Sequence, residues 1–175
     1  MVSRSPGEAG AHPVVGQSNM PTELAELLRE TIDTELPHLR SVVENEAGVK
    51  TSTAWSRKEE LGHLIDSAAN NHLRFVGAAL APEFHGPPYD QNGSVMLHGY
   101  QELPWSDLLE FWRSYNILLA QMIARIPEDK LLTLCRVGDG TPVTLHFLIE
   151  DYVTHMQHHL DHILRRDHVT QYPRP

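Results

Sequence analysis

The chain has 175 residues, of which 41% are hydrophobic and 21% are charged, the size and composition of one globular domain with a sizeable core. Its 14 Lys and Arg against 23 Asp and Glu give a formal charge of −9, with no basic segment to offset it, which argues against a nucleic-acid partner. The single cysteine rules out an intramolecular disulfide. The sequence shows neither the apolar core of a signal peptide nor an apolar run near the roughly 18 residues that cross a membrane. We therefore predict a cytoplasmic protein without a membrane partner.

The first helix is predicted to follow a disordered leader. Residues 1–19 are rich in Gly, Pro and Ser and show no hydrophobic period, which is typical of a disordered segment. From Pro21, a favourable first helical residue, apolar side chains recur every three or four positions, and Pro37 is expected to kink this helix. We therefore divide the chain into this leader, a helical domain over residues 20–167 and a tail over residues 168–175.

The second helix has the firmest predicted start. Ser56-Arg-Lys-Glu59 is a capping box, in which the serine and glutamate side chains satisfy free backbone N–H groups at the start of a helix. Helical spacing of apolar residues then continues to about Leu80. The stretch from Pro82 to Pro104 is crowded with Pro, Gly and Asn, so we predict a long loop with room for a helical turn, and loops of this length often line sites.

Two more helices complete the predicted fold. Ser106 is predicted to cap a third helix that runs until Pro127. Two segments then flank Gly138-Asp-Gly140 and form either a small hairpin or an ordered loop. A final helix is predicted to begin near Thr141-Pro142 and to carry an apolar face as far as Ile163. Four long helices imply an all-α protein, a four-helix bundle.

The last helix carries four histidines within eight positions, His155, His158, His159 and His162. At about 100° per residue, His155 and His159 lie at the edge of the buried face, His158 faces water and His162 lies between the two groups. Two imidazoles at positions i and i+4 can bind one transition-metal ion, but such a site needs at least a third protein ligand. On spacing alone, solvated or core histidines are the stronger interpretation.

A search for a third ligand leads to the second helix, where His63 shares a polar stripe with Glu59, Ser67, Asn70 and Arg74. The ordinary interpretation of such a stripe is a solvated helix face. Because the stripe mixes His, Ser and Asn with little charge, it can equally face a polar cavity in the bundle, where metal sites are commonly built from facing helices. The periodicity leaves both alternatives open.

Two stretches together resemble the DinB/YfiT-like superfamily: WSRKEELGHLIDSAANNHLRF, residues 55–75, and LIEDYVTHMQHHLDHI, residues 148–163. The resemblance covers roughly residues 21–165, and the combination of both motifs is fairly specific. It implies a DinB-like four-helix bundle, often dimeric, which holds a divalent ion such as Zn²⁺ or Ni²⁺ with one histidine of the second helix and an HxxxH pair of the last. Carried over, the implied metal ligands are His63, His155 and His159, and the implied assembly is a homodimer.

The implied ligand set has chemical consequences. Three neutral imidazoles leave the full double positive charge on the ion, which would lower the pKa of a bound water towards neutrality or hold a bound thiol as the thiolate. The resemblance therefore implies a metal-dependent hydrolase that acts on a small molecule, with a metal-dependent transferase of a low-molecular-weight thiol as the alternative. A third interpretation is a non-catalytic, metal-stabilised stress-response or binding module, which a closed four-ligand site would favour.

Further polar residues are candidates for assisting catalysis. Asn70, Asn71 and Arg74 can orient a substrate or pair with its charge, and Tyr152 lies one turn before His155. Each also has an ordinary structural interpretation. The two amides and the guanidinium can simply cap or solvate the helix, and the tyrosine can belong to the core.

Two other residues carry weaker signals. Asp66 is a candidate hydrogen-bond acceptor for a ligand histidine, although it lies about 60° from His63 on the helical wheel. Cys135 has no histidine partner in the sequence around it, and a lone cysteine is usually a small apolar core residue.

Overall fold

Four long helices dominate the structure, a computed structural model that describes residues 19–50, 54–166 and 170–172. Each of the first two long helices packs against both of the last two, so the predicted all-α four-helix bundle is confirmed. Within these described residues, two short helices and two 3₁₀ turns, Tyr100–Glu102 and Glu128–Leu132, complete the helical part. In chain order the helices are α1 (Met20–Ser41), α2 (Glu44–Ala47), α3 (Arg57–Leu80), α4 (Gln91–His98), α5 (Trp105–Ile123) and α6 (Leu145–Ile163).

Helix α1 starts where the sequence predicted. The Asn19 side chain accepts a hydrogen bond from the Thr22 N–H at 3.4 Å, and Pro21 occupies the first turn, where its missing N–H costs nothing. Pro37 lies inside the helix. Of the predicted leader only Asn19 falls within the described residues, and of the predicted tail only residues 170–172 do.

The starts of α3 and α5 differ in how well the sequence predicted them. The capping box of α3 is confirmed, because Ser56 Oγ accepts from the Glu59 N–H at 3.2 Å and Glu59 Oε2 accepts from the Ser56 N–H at 2.9 Å. The predicted cap of α5 is wrong: Ser106 lies inside the helix, whose N-cap is Pro104. Glu44 Oε2 accepts from the Trp105 N–H at 2.8 Å, so a side chain distant in sequence satisfies this free backbone group.

A small sheet lies between the ends of the helices. Its strands are β1 (Glu83–Gly86), β2 (Leu134–Val137) and β3 (Val143–Thr144), in the order β1-β2-β3. Strands β2 and β3 form the hairpin that was one of the two predicted alternatives, and β1 adds to it in parallel, with Phe84 opposite Cys135. The predicted start of the last helix near Thr141-Pro142 is wrong, because Val143 and Thr144 belong to the sheet and α6 begins at Leu145.

The segment between α3 and α5 is more ordered than the predicted loop. It contains β1, the eight-residue helix α4 and a 3₁₀ turn. Tyr100 in that turn is buried against α3 at Gly62, where a Cβ would lie under 3.0 Å from three ring atoms of the tyrosine. Gly62 therefore permits a close approach between this segment and the helix that carries His63.

The core fills the space between the four long helices. Cys135 is buried in β2 without exposed surface, which agrees with the expected core role. In the described part of the chain, no helix is long and apolar enough to cross a membrane. The largest fully buried side chains include Leu28, Ile32, Phe75, Trp112, Leu119 and Tyr152.

Candidate metal centre

Three histidines from two helices converge between α3 and α6. About one turn after its capping box, α3 places His63 in the interior with no exposed surface. His155 and His159 lie one turn apart on α6, and one ring nitrogen from each of the three residues lies within 4.8 Å of the others. The Nε2 atoms of His63 and His155 are 3.3 Å apart, and the Trp55 ring lies 5.0 Å from that of His63.

Burial keeps two of these imidazoles uncharged. It lowers the pKa of His63 to about 4, with repulsion from His159 adding to the effect. It lowers the pKa of His155 to about 3, and the neighbouring His159 and His63 again contribute repulsion. Both rings are therefore neutral at pH 7 and offer nitrogen lone pairs.

The donor set fits a divalent ion of borderline softness. A tetrahedral zinc ion at about 2.0–2.1 Å from each nitrogen would hold its donor atoms about 3.4 Å apart. The 3.3 Å between the Nε2 atoms of His63 and His155 matches this separation. The Nδ1 atom of His63 is buried without a hydrogen-bond partner among the described residues, so the surrounding protein leaves this imidazole incompletely satisfied.

Glu60 on α3 contacts two histidines of α6, the triad member His159 and the neighbouring His162. Its Oε1 atom lies 2.8 Å from His159 Nδ1 and 3.1 Å from His162 Nδ1. The Glu60 side chain is 15% exposed, whereas that of His162 is 46% exposed. The Oε1 atom of Glu60 is thus shared by both imidazole rings. These three residues also have ligand atoms within 4.8 Å of one another.

Residues 170–172 contact α6 beside His155 and His158. The Tyr172 ring lies 5.4 Å from the His155 ring and 5.7 Å from that of His158, and its hydroxyl donates to the Asp151 carboxylate at 3.1 Å. The Thr170 N–H donates to Asp161 Oδ2 at 2.8 Å and helps to hold this segment on α6. His158 thus lies beside Tyr172 and outside the triad, and it is half-buried, whereas the helical wheel predicted a side chain that faces water.

The polar candidates on α3 make local contacts. Asn70 donates to the Asp66 carbonyl at 2.9 Å, and Asn71 donates to the Ser67 carbonyl at 3.0 Å. The Arg74 guanidinium donates to Asn71 Oδ1 and to the Pro87 carbonyl, both at 3.4 Å. Burial lowers the pKa of Arg74, although Tyr89 beside it acts in the opposite direction.

Tyr152 lies in the core. Its side chain is 2% exposed, its hydroxyl donates to Asn116 Oδ1 on α5, and its ring packs edge-on against Phe75 at 5.8 Å. The structure therefore directs the Tyr152 hydroxyl towards α5. None of these contacts involves a histidine of the triad.

Asp66 contacts other partners than the triad. Its Oδ1 atom accepts from the Tyr100 hydroxyl at 2.6 Å and lies 3.0 Å from His98 Nδ1. The candidate role of Asp66 as the hydrogen-bond acceptor of a ligand histidine is therefore wrong. Burial raises the pKa of Asp66, and the bonds from Tyr100 and His98 only partly oppose this. Its Oδ2 atom has no hydrogen-bond partner among the described residues.

We expect Asp66→Asn to stabilise the metal-free protein at pH 7. A carboxyl with a raised pKa contributes most to stability below its unfolded pKa of 3.8, and this contribution is lost as the pH rises through the folded pKa. Asparagine keeps an acceptor for Tyr100 without the buried charge. Urea unfolding of both proteins from pH 7 to pH 4 should show the advantage of the variant shrinking with acidification. A difference that stays constant across this range would contradict the prediction.

Sequence reasoning did not identify Glu60 or Tyr172 as neighbours of the site. For Glu60 a signal was present, because it precedes His63 by three residues and therefore lies on the same side of α3. For Tyr172 we see no such signal, since its place depends on how the chain folds back after α6.

Comparison with known proteins agrees with this architecture. Residues 22–163 match the sequence profile of the DinB superfamily. A protein of Bacillus pumilus (strain SAFR-032) named "Putative metal-dependent hydrolase" is 32% identical over 114 residues, which are 62% of this chain and 62% of that protein. The matched part thus spans somewhat less than two thirds of this relative.

Two solved structures share the fold. YfiT from Bacillus subtilis, described as a probable metal-dependent hydrolase with an unusual four-helix bundle topology, aligns with a TM-score of 0.76 at 17% identity, over 91% of this chain and 92% of YfiT. A mycothiol-dependent maleylpyruvate isomerase aligns with a TM-score of 0.60 at 13% identity, over 83% of this chain and 60% of the isomerase. With the profile match over most of its length, this chain belongs to the DinB superfamily.

Proposed function

We propose that the chain is a metal-dependent hydrolase of a small molecule, with a divalent ion held by His63, His155 and His159. The observation that carries this proposal is the convergence of three ring nitrogens within 4.8 Å at the junction of α3 and α6. The name of the Bacillus pumilus relative supports it. Zn²⁺ and Ni²⁺ are the proposed ions, because both accept imidazole nitrogen.

The protein's own residues would hold the ion and shape its surroundings. When bound, an ion with an open coordination position supplies a Lewis acid that lowers the pKa of a coordinated water or thiol. His63 and His155 keep their lone pairs available because burial holds both rings neutral. Trp55 packs against His63 and shields that ring from water on one side.

Substrate contacts are proposed for the polar stripe of α3. His63, Asn70 and Arg74 lie at helical spacing on one side of this helix, so a substrate at the triad can extend along it. The hydrogen-bond acceptors of Arg74 are an amide oxygen and a backbone carbonyl at 3.4 Å, which a substrate anion can replace. Tyr152 remains the least favoured of the candidates because its hydroxyl is engaged in the core.

Thiol transfer is the second candidate function. It is favoured by the structural likeness to a mycothiol-dependent maleylpyruvate isomerase, since mycothiol is a low-molecular-weight thiol. In that case the three histidines would serve the same ion, and the thiol would replace water as the nucleophile. The two functions therefore share one site and differ in the co-substrate.

A turnover screen separates these functions. Metal-loaded protein would be offered generic esters, amides and thiol-reactive electrophiles, with and without a panel of cellular thiols, and His159→Ala would serve as the control. Turnover without thiol supports the hydrolase, and turnover that requires thiol supports the transferase. Metal binding without turnover, together with a fourth protein ligand in a crystal structure, would instead identify a non-catalytic, metal-stabilised module.

A homodimer is the proposed assembly. Helices α3 and α5 pack together and leave large apolar side chains in water, including Leu73 at 73%, Phe111 at 56% and Leu118 at 48% exposure. Burying such surface in a symmetric contact would be favourable. We expect a mass near twice 19.8 kDa by light scattering. A monomer across a wide concentration range would refute the proposed dimer.

The cytoplasmic location of the protein also stays a prediction.

A further inference from the structure

Glu60 links the triad to a fourth histidine, because its carboxylate contacts both His159 of the triad and His162. Its Oε1 atom is 2.8 Å from His159 Nδ1 and 3.1 Å from His162 Nδ1. The side chains of Glu60 and His159 are only 15% and 17% exposed, so water competes little for their contact. Because Nδ1 of His159 faces the carboxylate, Nε2 is the nitrogen left to bind a ligand on its other side.

We propose that Glu60 is the positioning residue of the metal centre, which acts on the ion through His159. This inference rests on the proposed function, since it presumes an ion at the triad. A carboxylate that accepts the Nδ1–H of a ligand imidazole fixes the tautomer with its lone pair on Nε2, holds the ring plane and makes Nε2 more basic. Each effect strengthens the bond from His159 to the ion.

The fold gives Glu60 a fixed place from which to do this. The capping box rigidifies the first turn of α3, and the Glu60 N–H donates to the Ser56 carbonyl at 2.9 Å. Glu60 and His63 then lie one turn apart on the same side of α3. The helix thus supplies one ligand directly and orients a second ligand on the opposite helix.

The neighbouring carboxylates have other partners. Glu59 Oε1 accepts from Lys50 at 2.6 Å and its Oε2 accepts from the Ser56 N–H. Asp66 is bound by Tyr100 and His98. Among the carboxylates that α3 places beside His63, Glu60 is therefore the one whose described hydrogen bonds lead to the triad.

His162 gives the same carboxylate a second donor. With two N–H groups directed at Oε1, the carboxylate of Glu60 is held in one orientation. His162 is about half exposed, so its contact is the more dispensable of the two. Removing it should leave the hydrogen bond between Glu60 and His159 intact.

A competing interpretation makes Glu60, His159 and His162 the ligands of a second ion, since their donor atoms also lie within 4.8 Å of one another. That ion would need the Nδ1 lone pair of His159 while Nε2 binds the first ion, which requires a fully deprotonated imidazole. The separations of 2.8 and 3.1 Å are ordinary N–H···O hydrogen-bond lengths. The contacts therefore favour a positioning carboxylate.

Metal affinity tests the inference directly. Zn²⁺ dissociation constants would be measured by competition with a chromophoric chelator for the wild type, Glu60→Gln, Glu60→Ala and the matched control His162→Ala. We expect Glu60→Ala to bind about 10- to 100-fold more weakly, Glu60→Gln to fall between it and the wild type because its amide oxygen still accepts, and His162→Ala to stay within about threefold. Elemental analysis should give one ion per chain in the wild type.

A second readout separates positioning from a general structural role. In ¹⁵N-histidine NMR spectra of the zinc-loaded protein, His159 should be the Nδ1-protonated tautomer, and its Nδ1 signal should move in Glu60→Gln while the melting temperature of the metal-free variant is unchanged. Wild-type affinity in both Glu60 variants would overturn the inference while leaving the three-histidine site in place. Two ions per wild-type chain, falling to one in His162→Ala, would overturn it by making Glu60 a ligand. A wild type that binds no ion would overturn the proposed function first, and this inference with it.

Discussion

His63→Ala, His155→Ala and His159→Ala should each lose most of the bound metal. Structural zinc sites with four ligands are worth about 10–16 kcal/mol, so one ligand accounts for roughly 3 kcal/mol and its loss should weaken binding about 100-fold or more. The three ring nitrogens lie within 4.8 Å, and the other histidines of α6 cannot replace a missing one without rotating the helix. Elemental analysis of the purified, dialysed variants gives the measurement.

The matched control is His158→Ala. This residue is adjacent to a ligand in sequence and its ring lies 5.5 Å from that of His159, but it does not belong to the group of converging ring nitrogens. It should therefore keep a wild-type amount of metal. Stoichiometric metal in His155→Ala, or a loss of metal in His158→Ala alone, would show that the ligand set is assigned incorrectly.

Gly62→Ala is expected to destabilise the protein by about 1–3 kcal/mol, the usual range for overpacking a core. A methyl group at this position would collide with the Tyr100 ring, which is buried and bound to Asp66 at 2.6 Å, so the ring cannot easily move aside. The collision should outweigh the gain of roughly 1 kcal/mol in helix propensity that alanine otherwise brings. Urea unfolding of the metal-free protein would measure the difference.

Gly48→Ala provides the comparison for this substitution. The backbone of Gly48 is right-handed, with φ −85°, and a Cβ there would meet Gln101 at an ordinary 3.5 Å. We expect a change in the free energy of unfolding within about 0.5 kcal/mol. Equal effects at both positions would mean that the contact between Gly62 and Tyr100 is not tightly packed.

Local signals in the sequence predicted the parts of the fold that depend on neighbouring residues. The capping box at Ser56 and Glu59 is complete within four residues, so its hydrogen bonds could be predicted without knowing the rest of the fold. The helical wheel could separate His155 and His159 from His158 because it, too, depends only on the spacing of residues within one helix. The resemblance to a family was needed to add His63, because the polar stripe of α3 had two interpretations.

Contacts between distant segments could not be predicted in this way. The Trp105 N–H is satisfied by Glu44, which is 61 residues earlier, so no local pattern marks the start of α5. Strand β1 pairs with β2 across about 50 residues, and its sequence within a Pro- and Gly-rich stretch favoured a loop. Glu60 lies one turn before His63 in the sequence, but its contact with His159 on α6 could not be predicted from neighbouring residues.

The direct passage from β3 into α6 sets the rotational phase of the last helix. Thr144 ends the strand and Leu145 begins the helix, so no connecting residue can absorb a change of register. Moving the strand by one residue against β2 would turn α6 by about 100°. Met156 and Leu160, or Thr154 and His158, would then occupy the positions of His155 and His159. A three-stranded sheet of ten residues, none of which belongs to the triad, thereby decides which side of α6 faces α3.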